Sequence, residues 1–484
     1  MHKRTRTAVA VAAVAALTGG LAVTATGTAS AADHPAIAQA DFNADGYGDV
    51  AVSAGPAYVN GRSGAGTVTV VYGGASGNRY ATISQNTTGV PGTAEQGDYF
   101  GADTAYGDFD GDGYDDLAVG APGEDVSGDT DGGTAVILWG SATGLKGGTT
   151  LTDPRPTKHD FFGRTLEAGD FDGDGKDDIA LGSSGSTIDI HRGGFGRTKG
   201  STGGRYTAQA AIYAGAADGG GPLHLHSGDI NGDGTDDLIV NGYATDDDYN
   251  ANYWLPGGAS GATGNGAQRL PAGIITDIGD TDEDGYGDIV IGLRWDEGVA
   301  GANKGGTAHI VHGTADGPAY GDTQTFTQDS SGVPGASETG DSFADEIDLG
   351  DINGDGHLDL VVGAPGENLA GVADTGAVTV LYGAADGSGI TGQGARFLSQ
   401  DTPGVPNSNE TNDFFGSDVR LTDLDADGRA DVIVGALGEN GGNGAVYALR
   451  SGADGTLSAS SGIYTSTVGI SASGSPQFGH NFAD

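Results

Sequence analysis

The residues most suited to chemistry recur in a nine-residue pattern. Asp41-Phe-Asn-Ala-Asp-Gly-Tyr-Gly-Asp49 has the form Asp-x-Asx-x-Asp-Gly-x-x-Asp, and the same form opens again at Asp108, Asp170, Asp229, Asp280, Asp351 and Asp423. Position 3 holds Asn43, Asp110, Asp172, Asn231, Asp282, Asn353 and Asp425. Position 5 holds Asp45, Asp112, Asp174, Asp233, Asp284, Asp355 and Asp427. Position 9 holds Asp49, Asp116, Asp178, Asp237, Asp288, Asp359 and Asp431. Calcium takes six to eight hard oxygen ligands at ~2.3–2.6 Å in a flexible shell. Side-chain oxygens at positions 1, 3, 5 and 9 can converge on one ion if the chain wraps tightly, and the Gly at position 6 permits the wrap. Position 7 can add its backbone carbonyl, which leaves its side chain free to vary. It is Tyr47, Tyr114, Lys176, Thr235, Tyr286, His357 and Arg429. The expectation is up to seven structural Ca2+ ions. Magnesium suits the pattern less, because it demands a rigid octahedron and keeps several waters.

An EF-hand loop starts the same way but ends with a bidentate Glu at position 12. Here position 12 is Val52, Val119, Leu181, Val240, Ile291, Val362 and Val434, none of which can ligate. The elements that must hold the loops are therefore strands. Leu117-Ala-Val-Gly-Ala-Pro122 and Leu360-Val-Val-Gly-Ala-Pro365 are short aliphatic runs stopped by Gly and Pro. Ahead of several loops, Phe100-Gly101, Phe162-Gly163, Phe343-Ala344 and Phe415-Gly416 stand eight residues before the first Asp and are expected to open a strand. Downstream, Thr67–Gly73 recurs as Thr134–Gly140, Thr307–Gly313 and Ala377–Gly383, with weaker copies at Ile188–His191, Tyr253–Leu255 and Ala445–Leu449. More polar outer strands are expected at Thr323–Gln328 and Ala395–Gln400. Each unit offers about four short strands and no sustained helical period. A unit of this size cannot bury both faces of its own sheet, whereas seven sheets packed radially can. The predicted fold is all-β, a seven-bladed β-propeller of four-stranded blades with a calcium loop in each.

Taken together, the Phe-Gly, calcium-loop and Gly-Ala-Pro ladders resemble the FG-GAP repeat of integrin α-subunits. Gly120-Ala-Pro122 and Gly363-Ala-Pro365 match it literally, and Gly435-Ala-Leu437, Gly182-Ser183 and Gly292-Leu293 are degenerate copies. The chain looks like a secreted bacterial member of that group. The resemblance implies a propeller with calcium between the first two strands of a blade; it implies no particular ligand. Units four and five depart from the pattern, with Leu223-His-Leu-His226 and Gly273-Ile-Ile275 in place of the Phe-Gly start.

Residues 1–31 read as a signal peptide. Lys3, Arg4 and Arg6 precede an apolar Ala8–Leu17, and Ala29-Ser30-Ala31 suits cleavage before Ala32. Residues 32–484 then form one propeller domain, secreted and extracellular, with no membrane span and a monomeric state expected. The tail, Gln477-Phe-Gly-His-Asn-Phe-Ala-Asp484, supplies a Phe478-Gly479 that the first unit lacks, and is expected to complete that unit's sheet.

The chain has no Cys, which excludes disulfides, thiolate zinc sites and thiol nucleophiles. It carries 66 acids against 21 Lys and Arg, a formal charge of −45, which argues against nucleic acid. Of those acids, 29 lie in the seven nine-residue loops, so much of the charge marks metal sites. Glycine, at 94 of 484 residues, marks turns and close approaches rather than disorder. No Gly-x-Ser-x-Gly, HExxH or P-loop occurs, and no catalytic residue is assigned. His224 and His226 share one strand face by period two; packing is the expected role, a transition-metal site in the central channel the alternative. Three long links, Gln85–Gly101, Gln328–Ala344 and Gln400–Gly416, share Gly-Val-Pro and a following Glu. They read as structural linkers, or else as a repeated ligand-binding face. The expected function is a non-enzymatic, calcium-binding extracellular adhesion or binding module for an unknown protein or glycan. A carbohydrate-directed enzyme or lectin-like protein, and a matrix protein without a discrete ligand, are the alternatives.

Overall fold

The computed structural model describes residues 39–483 apart from 76, 199, 202, 216–219, 247–249, 322, 454 and 460. The expected signal peptide lies outside the described residues.

Among the described residues seven antiparallel sheets of three to five strands follow one another along the chain, with a two-stranded ribbon, Phe195–Gly196 and Gly200–Ser201, inserted in the third unit. Their second strands are Asp49–Ala54, Asp116–Ala121, Asp178–Leu181, Asp237–Tyr243, Asp288–Leu293, Asp359–Ala364 and Asp431–Ala436. Each begins at position 9 of a nine-residue loop, so in blades two to seven the loop turns the chain from the innermost strand into the second. The third strands run Thr67–Tyr72, Thr134–Trp139, Thr187–His191, Asn250–Leu255, Thr307–Val311, Ala377–Gly383 and Ala445–Ser451. The outer strands are more exposed, as in Arg79–Ile83 and Thr323–Phe326. These are the blades of a seven-bladed β-propeller. Two four-residue helices, Glu439–Gly442 and Thr465–Val468, belong to the last blade and the tail and are the only helices among the described residues.

Strands such as Asp49–Ala54 and Asp359–Ala364 are buried at every residue. The reason is that both faces of each sheet are covered. Val50 and Val52 pack with Ile433 and Val446 of blade seven, while Ala51 packs with Leu117 and Val119 of blade two. The described residues form seven apolar clusters, and each joins two neighbouring blades. Full burial of a Val, Leu, Ile or Phe side chain contributes about 1.5–3 kcal/mol, so the hydrophobic term resides mainly at the blade joints.

The Phe-Gly pairs do not start strands as expected, except in blade seven, where Phe415–Thr422 does. In blade three the inner strand is only Leu166–Gly169. Phe162 instead makes a parallel bridge to Gly133 of blade two, and Phe343, Phe415 and Phe478 repeat this on Gly306, Gly376 and Gly444. Each of these Phe rings is completely buried. The Phe therefore plugs the joint with the preceding blade, and its partner glycine must stay bare. A Cβ on Gly133 would run into the backbone of Phe162, and one on Gly120 into the carbonyl of Gly163 in the next blade. Gly101 meanwhile donates its N–H to the Gly120 carbonyl at 2.8 Å within one blade. The Phe-Gly of one unit and the Gly-Ala-Pro of its neighbour are thus two halves of one contact.

The ring closes through the C-terminus. Phe482 pairs antiparallel with Val52, Ser53 N–H donates to the Asn481 carbonyl at 2.8 Å, and Ala483 N–H to the Ala51 carbonyl at 3.1 Å. The tail is thus the innermost strand of blade one.

At the hub, polar groups tie six of the inner strands to the next, from blade two round to blade one. Asp103 accepts from Leu166 N–H at 2.9 Å, and Ser227 Oγ donates to Glu167 at 2.9 Å. Asp277 accepts from Leu349 N–H at 2.6 Å, Asp348 from Leu421 N–H at 2.5 Å, and Asp418 from Phe482 N–H at 2.7 Å. His226 Nε2 lies 3.1 Å from Asp277 Oδ1, so this histidine joins blades four and five. Nothing in the sequence pattern signalled this ring.

Candidate metal centres

All seven loops share one geometry. The position 1 carboxylate accepts two backbone N–H groups from its own loop. In the first loop these come from Asp45 at 3.1 Å and Gly46 at 2.8 Å. The same pair recurs at Asp108, Asp170, Asp229, Asp280, Asp351 and Asp423. In six of the loops the position 5 carboxylate accepts the position 7 N–H, as from Tyr47 to Asp45 at 3.2 Å and Thr235 to Asp233 at 3.0 Å. The acids thus fold the loop around themselves.

Position 9 does more than the spacing indicated. These seven aspartates are almost wholly buried. Each accepts an N–H from the end of its own third strand. The donors are Gly73 at 3.0 Å, Gly140 at 2.6 Å, Gly193 at 2.7 Å and Gly257 at 2.8 Å, then Gly313 at 3.0 Å, Gly383 at 2.9 Å and Ser451 at 2.8 Å. In five loops the second oxygen also accepts the position 2 N–H. Burial pushes Asp49 up to about 8 and Asp116, Asp178, Asp237, Asp359 and Asp431 up to about 7, against the lowering effect of those backbone hydrogen bonds. Desolvation disfavours the charged form; a divalent cation alongside would favour it.

The acids converge. Carboxylate oxygens of Asp108, Asp110 and Asp116 lie within 4.8 Å of one another, as do those of Asp170, Asp172 and Asp174 and of Asp280, Asp282 and Asp284. Several oxygens are buried without a hydrogen-bond partner, among them Oδ1 of Asp110, Asp282 and Asp425 and Oδ2 of Asp116 and Asp178. A buried carboxylate oxygen is ordinarily partnered. An all-oxygen donor set with unpartnered inward atoms fits a hard cation.

The loops are also chained to each other at one end of the barrel of blades. Gly48 N–H donates to the Asp423 carbonyl at 2.8 Å, Asp236 N–H to Asp170 at 3.1 Å, Gly287 N–H to Asp229 at 3.2 Å, and Ala430 N–H to Asp351 at 2.7 Å. Asp115, at position 8 of the second loop, accepts Asp41 N–H at 2.6 Å. Position 8 therefore carries the link between neighbouring loops, a role the varied residues there concealed.

Basic side chains near the loops also escaped the sequence pattern. Arg197 binds Asp110 at 2.5 Å and also contacts Asp112; Arg192 contacts Asp172. His312 lies 3.4 Å from Asp282, and Arg450 3.0 Å from Asp425. Arg197 is 87 residues from Asp110, beyond the reach of any local motif.

At the other end of the blades, the three long links are each fastened to the blade that follows. Gln85 Nε2 donates to Glu124 at 2.5 Å, Gln328 to Glu367 and Gln400 to Glu439. Val90, Val333 and Val405 of the shared Gly-Val-Pro are buried. This favours the linker reading of the repeats.

Comparisons with known proteins agree with this architecture. The FG-GAP repeat family is matched at residues 35–71, 100–138, 162–203, 340–381 and 415–449, which fall in units one, two, three, six and seven. Integrin alpha pat-2 of Caenorhabditis briggsae is 30% identical over 330 residues, 65% of this chain and 23% of that protein. Integrin alpha-PS2 of Drosophila melanogaster is 26% identical over 229 residues, 42% and 15% of the two chains. Phosphatidylinositol-glycan-specific phospholipase D of Mus musculus is 36% identical over 146 residues, 30% and 17%. The chain thus spans less than a quarter of the length of each of these relatives. Among the described residues no helix is long and apolar enough to cross a membrane. The repeated Phe-Gly and Gly-Ala-Pro joints, the seven blades and these likenesses make the chain an FG-GAP repeat protein with an integrin-α-like propeller.

Proposed function

We propose that this propeller is a secreted, calcium-stabilised binding or adhesion module for a protein or glycan, without catalytic activity of its own. The observation that carries the proposal is the division of labour between the two ends of the blades. One end is occupied by seven acidic loops with buried, unpartnered carboxylate oxygens. The other end has a concave surface lined by Tyr243, Arg294, Trp295, Phe414 and His480. Exposed Tyr99 and Tyr213 stand at that same end. Aromatic rings with adjacent polar groups suit protein and sugar recognition alike. Up to seven Ca2+ ions would be held by positions 1, 3, 5 and 9 and the position 7 carbonyl. Their role would be to keep the acidic loops folded, since a cation bound only by the native state adds stability by mass action. Secretion fits this reading, because extracellular modules commonly bind calcium at ~10⁻⁴–10⁻³ M.

The test has two arms. Melting with excess calcium and with excess chelator should differ by many degrees; identical curves would defeat the calcium reading. A glycan array and a pull-down from extracellular material, repeated with Trp295→Ala, should give a ligand lost in the variant. Binding unaffected by Trp295→Ala would place the ligand surface elsewhere. A hydrolytic reading rests on the phospholipase relatives, which this chain matches over 17–18% of their length in mammals. Release of product from a phosphatidylinositol-glycan substrate by the purified chain would favour it over a binding role.

A further inference from the structure

The seven loops divide by what stands at position 3. In blades two, three, five and seven it is Asp110, Asp172, Asp282 and Asp425; in blades one, four and six it is Asn43, Asn231 and Asn353. The same division appears among the basic side chains. All four aspartates have one: Arg197 on Asp110, Arg192 on Asp172, His312 on Asp282 and Arg450 on Asp425. Among the described residues, no Lys, Arg or His forms an ion pair with a carboxylate at positions 1, 5 or 9 of the three Asn loops.

Three of the four bases come from one structural place. Arg192, His312 and Arg450 directly precede Gly193, Gly313 and Ser451, whose N–H groups bind the position 9 carboxylate. That bond holds the preceding side chain beside the loop. In the Asn loops the equivalent residues are Tyr72, Pro256 and Tyr382, which carry no charge to offer. Blade two has Trp139 there, and its base arrives by another route. Arg197 follows the Phe195–Gly196 strand of blade three, lies 5.6 Å from the Trp139 ring centroid, and reaches Asp110 across the joint. Two different backbone routes thus deliver a cation to position 3 where that position is charged.

We propose that the loops form two electrostatic classes, in which blades two, three, five and seven carry a built-in counter-ion for the position 3 carboxylate, and blades one, four and six achieve the same balance with a neutral Asn. Where the base is charged it cancels the position 3 carboxylate, so positions 1, 3, 5 and 9 together with that base sum to −3, as the three carboxylates of an Asn loop do; Lys176 on Asp174 and Arg429 on Asp427 bring a second cation to blades three and seven. The free oxygen of Asp110, Asp282 and Asp425 faces inward, while the other oxygen is held by the base. The metal half of this proposal rests on the calcium reading above; the charge-compensation half does not.

The test is a double-mutant cycle in blade two of the full chain: Arg197→Met, Asp110→Asn and the pair together. In excess chelator, Arg197→Met should lower Tm by about 2 °C or more. Adding Asp110→Asn should restore it, because the pair recreates the Asn class. Loss of the stacking on Trp139 alone could not be rescued in that way. Asn231→Asp, which adds an uncompensated carboxylate to blade four, should behave like Arg197→Met. In saturating calcium the single variants should recover, so that the gap between calcium and chelator exceeds that of the wild type. Two results would overturn the proposal: Arg197→Met melting like the wild type in chelator, or the double variant melting no higher than Arg197→Met. If calcium fails to stabilise the wild type, the calcium reading falls, and the chelator cycle still decides the charge compensation.

Discussion

Replacing Phe478 by Ala should loosen the whole ring, although the residue lies only six positions before Asp484. Its ring is fully buried in the cluster that joins blades seven and one, beside Val446, Ile433 and Val52. Its backbone is fixed by its N–H to the Asn443 carbonyl at 3.1 Å and by the bridge to Gly444, and Gly479 N–H donates to the Ser53 carbonyl at 3.3 Å. Phe-to-Ala changes in well-packed interiors cost about 3–5 kcal/mol. One kcal/mol corresponds to about 2–4 °C in larger domains, and the lower end suits a chain of this size, giving a Tm lower by about 6–10 °C. Scanning calorimetry on Phe478→Ala and on Tyr320→Ala would measure it. Tyr320 is 45% exposed, and a change there should stay within about 0.5 kcal/mol. A Phe478→Ala protein melting within about 1 °C of the wild type would refute the reasoning, because it would mean that the joint closing the ring is not seated by this side chain.

Gly120→Ala should also destabilise, by about 1–3 kcal/mol in chemical denaturation. The new methyl meets the Gly163 carbonyl of the next blade, and backbone cannot give way as a side chain end can. The Gln328–Glu367 pair predicts a pH effect. Burial pushes the Glu367 carboxyl up to about 7, against the lowering effect of the Gln328 amide. The native state therefore holds this proton more tightly than the unfolded chain does. Its stabilising contribution is complete below pH ~4.5 and is lost as pH rises through about 7. Glu367→Gln should flatten that part of the stability–pH curve, as measured by denaturant midpoints between pH 5 and 8; an unchanged slope would exclude the pair as its source.

The fold was legible in the sequence because a repeated unit states its local rules seven times. The spacing Asp41, Asn43, Asp45, Asp49 is a loop pattern, Val-rich runs such as Thr67–Tyr72 are strand patterns, and both act within about ten residues. Repetition also implied a ring, since no single sheet could cover its own two faces. Unit four lacked the Phe-Gly start and still forms a four-stranded blade, with inner strand His224–Gly228, because burial between neighbours overrides the missing motif.

What the sequence alone determined was the identity of the loop residues, their number and the strand order. Tertiary structure decided which groups face them. Arg197 meets Asp110, Asp277 meets Leu349 and Asn481 meets Ser53 only because the blades close into a circle, and residues up to 428 positions apart are then brought together. Local spacing constrains oxygens that one turn of chain can gather. The counter-charges, the hub bonds and the closing strand come from other blades, and their positions follow from packing rather than from any periodicity in the chain.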